Sequence, residues 1–184
     1  MTSVYLAGKM GRHQEDCSCT ADMAHGYMEK VHDHGCFGEY VQDNWRVEVL
    51  GTAPRMEQRV SFMGGRTFAG PWFVDHGNHG MDAEHTADRC LKWIQSTDAL
   101  FAWISAADAH GTFAEIGYAK ALGKSVYVAF DRASLTDADV RELWFIKRLA
   151  DGSCCVREPR RAFAIFTHWH SAQRAVSTPY GSRW

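Results

Sequence analysis

Residues 98–130, DALFAWISAADAHGTFAEIGYAKALGKSVYVAF, constrain this chain more than any other stretch. An apolar run (98–104) passes through a polar loop (105–111) into a helical pattern over 112–122, and a second apolar run follows (125–130). Runs that are apolar throughout, rather than alternating, suit strands buried on both faces. Gly123 stands where a helix C-terminus favours glycine. Strand, helix, strand is a crossover unit, which places the two strands parallel in one sheet with helices over its faces.

The same rhythm extends outward. SVYLA (3–7) reads as a buried first strand ending at Gly8. Asp82 can cap a helix whose Ala83, Ala87, Cys90, Leu91 and Ile94 share a face. Residues 137–150 and 160–175 read as helices, and SCCV (153–156) between them reads as a last, buried strand. Residues 45–70 are ambiguous and admit strands at RVEVL (46–50) and RVSFM (59–63). Residues 11–43, rich in His, Cys, Gly and Asp, show weak periodicity and at most one helix, around 21–32. They read as an excursion from a single domain spanning 1–184, being unable to support a core of their own. The expected fold class is α/β, with about five mainly parallel strands flanked by helices. Ligands in such sheets bind beyond the carboxyl ends of the strands, which here means residues 8–12, 105–112 and 131 onward.

Composition narrows the partners. At 184 residues, folding buries roughly 70% of the extended chain's surface, enough for a core without obligatory metals or disulfides. Twenty basic against 22 acidic residues leave no field to gather a nucleic acid polymer or an anionic membrane. No apolar run nears the ~20 residues of a membrane span, and the N-terminus lacks the pattern of a signal peptide. A cytoplasmic chain with reduced thiols is therefore expected. Cys17-x-Cys19 and His32-x-His34-x-Cys36 carry zinc-ligand types, but C-x-C is tighter than the usual zinc spacing, so a polar His-rich loop is expected and no metal. A metal is not expected at Asp75, His76, His79 and His85 either. Lys9 and Arg12 follow the first strand, either as solvated loop residues or as charges facing a phosphate. Trp45, Trp72, Trp103 and Trp144 suit core or interface positions, with Trp144 nearest the rim.

Glu115 admits two readings. Three residues after Thr112, it fits a capping box, its carboxylate returning to the Thr112 amide. Alternatively it faces the crevice as a nucleophile or base, held ionised in the first helical turn by the dipole and free amides. Gly117 bears on the choice. A glycine inside a helix costs on the order of 1 kcal/mol relative to alanine, and close approach of backbone or ligand would compensate.

GTFAEIGYA, between an apolar strand with an acidic loop and the following ALGKSVYVAF, resembles the signature of the nucleoside 2-deoxyribosyltransferase-like proteins. VYLAGKM resembles their first strand and ligand loop, and NWR (44–46), GPWFVDHGNHG (70–80) and ELWFI (142–146) are closest to a less studied branch. The resemblance covers the first strand and most of 70–150, and implies a Rossmann-like arrangement. It implies cleavage of an N-glycosidic bond, with Glu115 attacking the anomeric carbon and Tyr5 orienting that carboxylate. It places Gly8, Lys9, Arg46, Asp75, His76, Gly111 and Thr112 against the substrate.

The family's acid in the loop before GT falls here on Ala109. Asp108 beside it takes that role, and His110 competes for it. A further family carboxylate falls near Cys90, and Asp88 fills the role if the alignment slips. The implied partners are a nucleoside or nucleotide and a free nucleobase, with no cofactor. The family assembles through helices beside the site, so a homo-oligomer is implied. The resemblance leaves three fates open: transfer of a deoxyribosyl group to another base, hydrolysis of a nucleoside 5′-monophosphate, and nucleotide binding without turnover.

Overall fold

The computed structural model describes residues 2–8, 45–50, 60–62, 66–70 and 83–177. Among these the elements are, in chain order, β1 (Thr2–Gly8), α1 (Trp45–Leu50), β2 (Val60–Phe62), β3 (Arg66–Ala69), α2 (Ala83–Ser96), β4 (Ala99–Ile104), α3 (His110–Ala121), β5 (Ser125–Asp131), α4 (Asp137–Glu142), α5 (Trp144–Leu149), β6 (Gly152–Val156) and α6 (Pro159–Ser177). The strands form one sheet in the order β2-β3-β1-β4-β5-β6. Five of them, β3, β1, β4, β5 and β6, run parallel, and β2 pairs antiparallel with β3 at the edge. This is the expected α/β, Rossmann-like fold.

The continuous apolar runs have the expected cause, since β1, β4 and β5 are covered on both faces. Tyr5, Ala7, Leu100, Ala102, Val126 and Val128 face a core completed by Cys90 and Ile94 of α2, Ile116 and Ala119 of α3, and Ile146 of α5. Val4, Leu6, Phe101, Trp103 and Tyr127 face the opposite core, with Trp45 and Leu50 of α1 and Phe166 of α6. Phe101 is the hub of that second core, its ring 5.2–5.8 Å from those of Trp45, Phe163 and Phe166. Strand order reverses at β1, with β3 on one side and β4 on the other, so the crevice lies beyond Gly8 and Ile104.

Several local expectations are corrected. RVEVL is helix, not strand: Trp45, Arg46 and Leu50 are buried while Glu48 is exposed, a helical spacing that short alternation concealed. Four-residue β3 was not anticipated. The helix expected over 137–150 breaks at Leu143, whose side chain turns into the core. SCCV is a strand but not a buried one. As the edge strand β6 it leaves Cys155 exposed and Cys154 half-buried. Gly123 does end α3, with φ of 69°.

Gly117 differs from its expectation too. A Cβ built there meets no atom within 4 Å, so no close backbone approach explains the glycine. Gly117→Ala is therefore expected to stabilise the fold by about 0.5–1 kcal/mol. Denaturant unfolding checks this, and a loss of stability would mean that the space is filled in solution.

Candidate active site

The helix that carries Glu115 starts two residues earlier than its pattern suggested, at His110, with Ala109 as N-cap and no side-chain cap. Thr112 is thereby drawn inside the helix and buried, and the capping box with Glu115 does not form. Glu115 falls in the second turn, where the helix dipole has largely faded. Its stabilisation comes from other elements instead.

The Tyr5 hydroxyl donates to Glu115 Oε1 at 2.5 Å. Tyr5 belongs to β1, is wholly buried, and projects from the face that α3 covers. Cys90, on α2, is buried in the same core as Tyr5, and Glu115 stands half-buried against the Tyr5 hydroxyl. Arg46 of α1 lends a positive charge. Burial raises the Glu115 carboxyl above the usual glutamate range, and the Tyr5 hydrogen bond, the Arg46 charge and the Cys90 hydrogen bond oppose that rise without cancelling it. Burial, reinforced by the Glu115 charge, pushes the Tyr5 phenol well above its ordinary value. Burial also takes the Cys90 thiol up to about 11. Both groups are therefore protonated donors at neutral pH.

Arg46 is fully buried, and its guanidinium holds the end of β1. Nε and Nη2 donate to Leu6 O at 3.1 and 3.0 Å, and Nη2 also donates to Gly8 O at 2.9 Å. The pairing of β1 with β3 stops at Tyr5 opposite Ala69. Arg46 thus binds β1 carbonyls that lie beyond the reach of β3. The guanidinium carbon lies 4.6 Å from the centroid of the Trp45 ring. Gly8, with φ of 157°, leaves no room for a side chain: a Cβ would come within 2.8 Å of Trp103 O and 2.9 Å of Trp45 Nε1. Trp45 Nε1 is, among the described residues, the buried side-chain polar atom with no hydrogen-bond partner.

Of the residues singled out in the sequence, Tyr5 meets Glu115, Arg46 meets Gly8, Thr112 is buried within α3, and Gly111 is exposed in its first turn. Asp108 and His110 flank buried Ala109 at the end of the loop after β4, and both are exposed. The His110 ring packs edge-on to Phe113. Asp88 is exposed; Cys90, two residues on and so about 200° round the helix, is buried in the core that holds Tyr5. Lys9, Asp75 and His76 lie outside the described residues, as do Arg12, Trp72, Asp82, His79 and the Cys/His segment 11–43; nothing is described of the His85 side chain. Among the described residues, no His, Cys, Asp and Glu side chains are grouped to hold a metal, and no helix is long and apolar enough to cross a membrane.

The site is that of a parallel α/β protein with a half-buried carboxylate, hydrogen-bonded to a buried first-strand tyrosine, at the strand order's reversal. The family model for nucleoside 2-deoxyribosyltransferase matches residues 4–158, and the chain belongs to that family. No curated protein and no solved structure gives a match. Membership carries the general activity of the family, glycosyl transfer on nucleosides and nucleobases.

Because the folded Glu115 carboxyl sits above its unfolded value, its contribution to stability is fully present below about pH 4.3 and is lost as pH rises through the folded value. Tyr5→Phe removes the shortest hydrogen bond to the ionised form and raises that folded value further. Unfolding free energies measured across a pH series should therefore keep falling to higher pH in Tyr5→Phe than in the wild type. Parallel curves would show that the hydroxyl does not stabilise the charge.

Proposed function

We propose that this protein cleaves the N-glycosidic bond of a 2′-deoxynucleoside with Glu115 as nucleophile, and transfers the deoxyribosyl group to another nucleobase. The observation that carries this reading is the part-buried Tyr5–Glu115 hydrogen bond, in a member of the deoxyribosyltransferase family. A Glu115 oxygen lone pair attacks the anomeric carbon as the C–N bond breaks. The bonding pair leaves on the base, which takes a proton. The acceptor base then displaces the carboxylate and loses its own proton. The transition state is oxocarbenium-like, so a carboxylate beside the sugar stabilises the growing positive charge before trapping it. Tyr5 fixes the carboxylate through one oxygen and leaves the other for attack. A 2′-deoxy sugar is preferred because it lacks the electron-withdrawing hydroxyl that would oppose the cation.

The leaving base is protonated by Asp108 or His110, which flank the position where the family's acid is replaced by Ala109. That replacement favours a second reading, a nucleotide-binding protein of weak turnover, since loss of leaving-group protonation slows such a reaction by about 10²–10⁴. Hydrolysis of a nucleoside 5′-monophosphate is the closest enzymatic rival. For assembly we propose a homo-oligomer formed beside the site. There α5 packs on α3 and exposes Trp144 and Phe145, 66% and 55% accessible.

One preparation tests the reaction. The protein is incubated with deoxynucleosides, ribonucleosides and their monophosphates, with and without a second free base, and the products are separated. A swapped nucleoside is expected. Free base with free sugar or sugar phosphate would indicate hydrolysis, and binding without turnover a sensor. Glu115→Gln should abolish base release while changing stability by no more than about 1 kcal/mol. Retained turnover in that variant would refute the nucleophile.

A further inference from the structure

Among the described residues, the end of β1 has a strand on one side only. β4 accompanies it as far as Gly8, opposite Trp103, whereas β3 pairs no further than Tyr5, opposite Ala69. Leu6 and Gly8, two residues apart, turn their carbonyls to the same side. That is the side β3 has left. A Cβ built at Gly70, the residue after β3, would lie 2.8 Å from Leu6 O and 3.6 Å from Arg46 Nε. Arg46 donates to both carbonyls, at 3.1 and 3.0 Å to Leu6 O and 2.9 Å to Gly8 O. A guanidinium is a planar, rigid fork, so bonds to two carbonyls fix their spacing as a single point donor cannot. The fork is itself held. Its carbon lies over the Trp45 ring, and α1 is tied to α6 by Arg160 Nε, which donates to Glu48 O at 2.7 Å.

We propose that Arg46 is a positioning residue for the substrate site, its guanidinium standing in for β3 beside Leu6 and Gly8 and so fixing the Gly8 peptide, from which the chain leaves the sheet. The proposal rests on the reading of the rim beyond β1 as the place of the nucleoside. The need for such a hold follows from Gly8 itself. Glycine has no side chain to pack and loses more backbone freedom on ordering than any other residue. Without the fork the Gly8 peptide takes several orientations. A ligand then binds only the competent fraction, and its apparent affinity falls by that fraction. Tyr5, which holds Glu115, lies three residues earlier, where β3 still pairs with β1. Loss of the fork therefore weakens substrate binding more than it weakens the chemical step.

Two substitutions separate the fork from its charge: Arg46→Lys keeps the charge and gives up the fork, and Arg46→Met gives up both. Labelling glycine at the carbonyl carbon and lysine at nitrogen marks the two Gly-Lys peptides of the chain, Gly8–Lys9 and Gly123–Lys124. In NMR spectra of both variants the Gly8 carbonyl signal should move, while the Gly123 signal, at the end of α3, should stay. With the fastest deoxynucleoside of the panel above, Arg46→Lys should raise KM about tenfold and lower kcat far less. The acid limb of kcat/KM should keep its wild-type pH in Arg46→Lys. In Arg46→Met it should move to higher pH, because the Glu115 carboxylate has lost a neighbouring cation. Should Arg46→Lys not fold, Gly70→Ala takes its place: it retains Arg46, but its methyl group displaces the Leu6 carbonyl, and the Gly8 signal and KM should change in the same way. An unmoved Gly8 signal or an unchanged KM in the folded variant would overturn the role of Arg46. Turnover surviving in Glu115→Gln would overturn the nucleophile alone. Calorimetric Kd values in that background, with and without Arg46→Lys, then decide the positioning role by the same tenfold difference. A wild-type protein that neither binds nor turns over any member of the panel would overturn both.

Discussion

The hydrogen bond from Tyr5 to Glu115 joins residues 110 positions apart, and the site is built around it. It exists because β1 and β4 pair in parallel, so that the helix following β4 returns across β1's face. Neither partner tolerates its position alone. A phenol without a partner in that core forfeits a hydrogen bond, and an isolated carboxylate would be driven to its neutral form. Together, with a cation and a thiol nearby, they favour a charged carboxylate at a half-buried position. A weakly screened carboxylate acts more strongly on a developing cation than a hydrated one.

Arg46 gives this arrangement its electrical balance. It is wholly buried, and a buried cation with no opposing charge is costly. Glu115 supplies that charge across the sheet end, and Arg46 in turn lowers the cost of ionising Glu115. The same guanidinium binds the Leu6 and Gly8 carbonyls, so one side chain both sets the field and holds the end of β1. Changing Arg46 therefore changes the shape of the rim as well as its charge.

What the sequence discloses follows from the range of the interactions involved. The strands 3–7, 98–104 and 125–130 were legible because two-sided burial writes itself as unbroken apolar runs. Gly123 was legible because a helix end is a local event. RVEVL misled, since five residues are too few to tell a period of 2 from one of 3.6 when Arg46 is itself a buried residue. The exposure of Cys155 depends on β6 being the sheet edge, which no pattern within SCCV records. The capping-box reading of Glu115 was a sound local inference. It failed because α3 begins at His110 and because Tyr5 competes for the carboxylate from the far end of the chain. Only the family resemblance joined Tyr5 to Glu115.

The division between buried and exposed groups bears on how the two halves of the proposed reaction fit one site. The proposed nucleophile is half-buried and held by Tyr5, whereas Asp108 and His110 stand exposed on either side of Ala109. Those demands differ in kind. The carboxylate has to act on a cation, which a dry, preorganised setting strengthens. The acid has to regain a proton in each cycle, and exposure at the rim allows exchange with water. In the proposed pose the sugar lies inward against Glu115 and the base lies outward under the loop after β4. The departing base then leaves past the group that protonates it, and an acceptor base enters by the same route. Ala109, buried at the N-cap, holds the backbone between these two layers. In the proposed reaction its replacement of the family's acid moves proton delivery by one residue, onto a neighbour that faces the solvent.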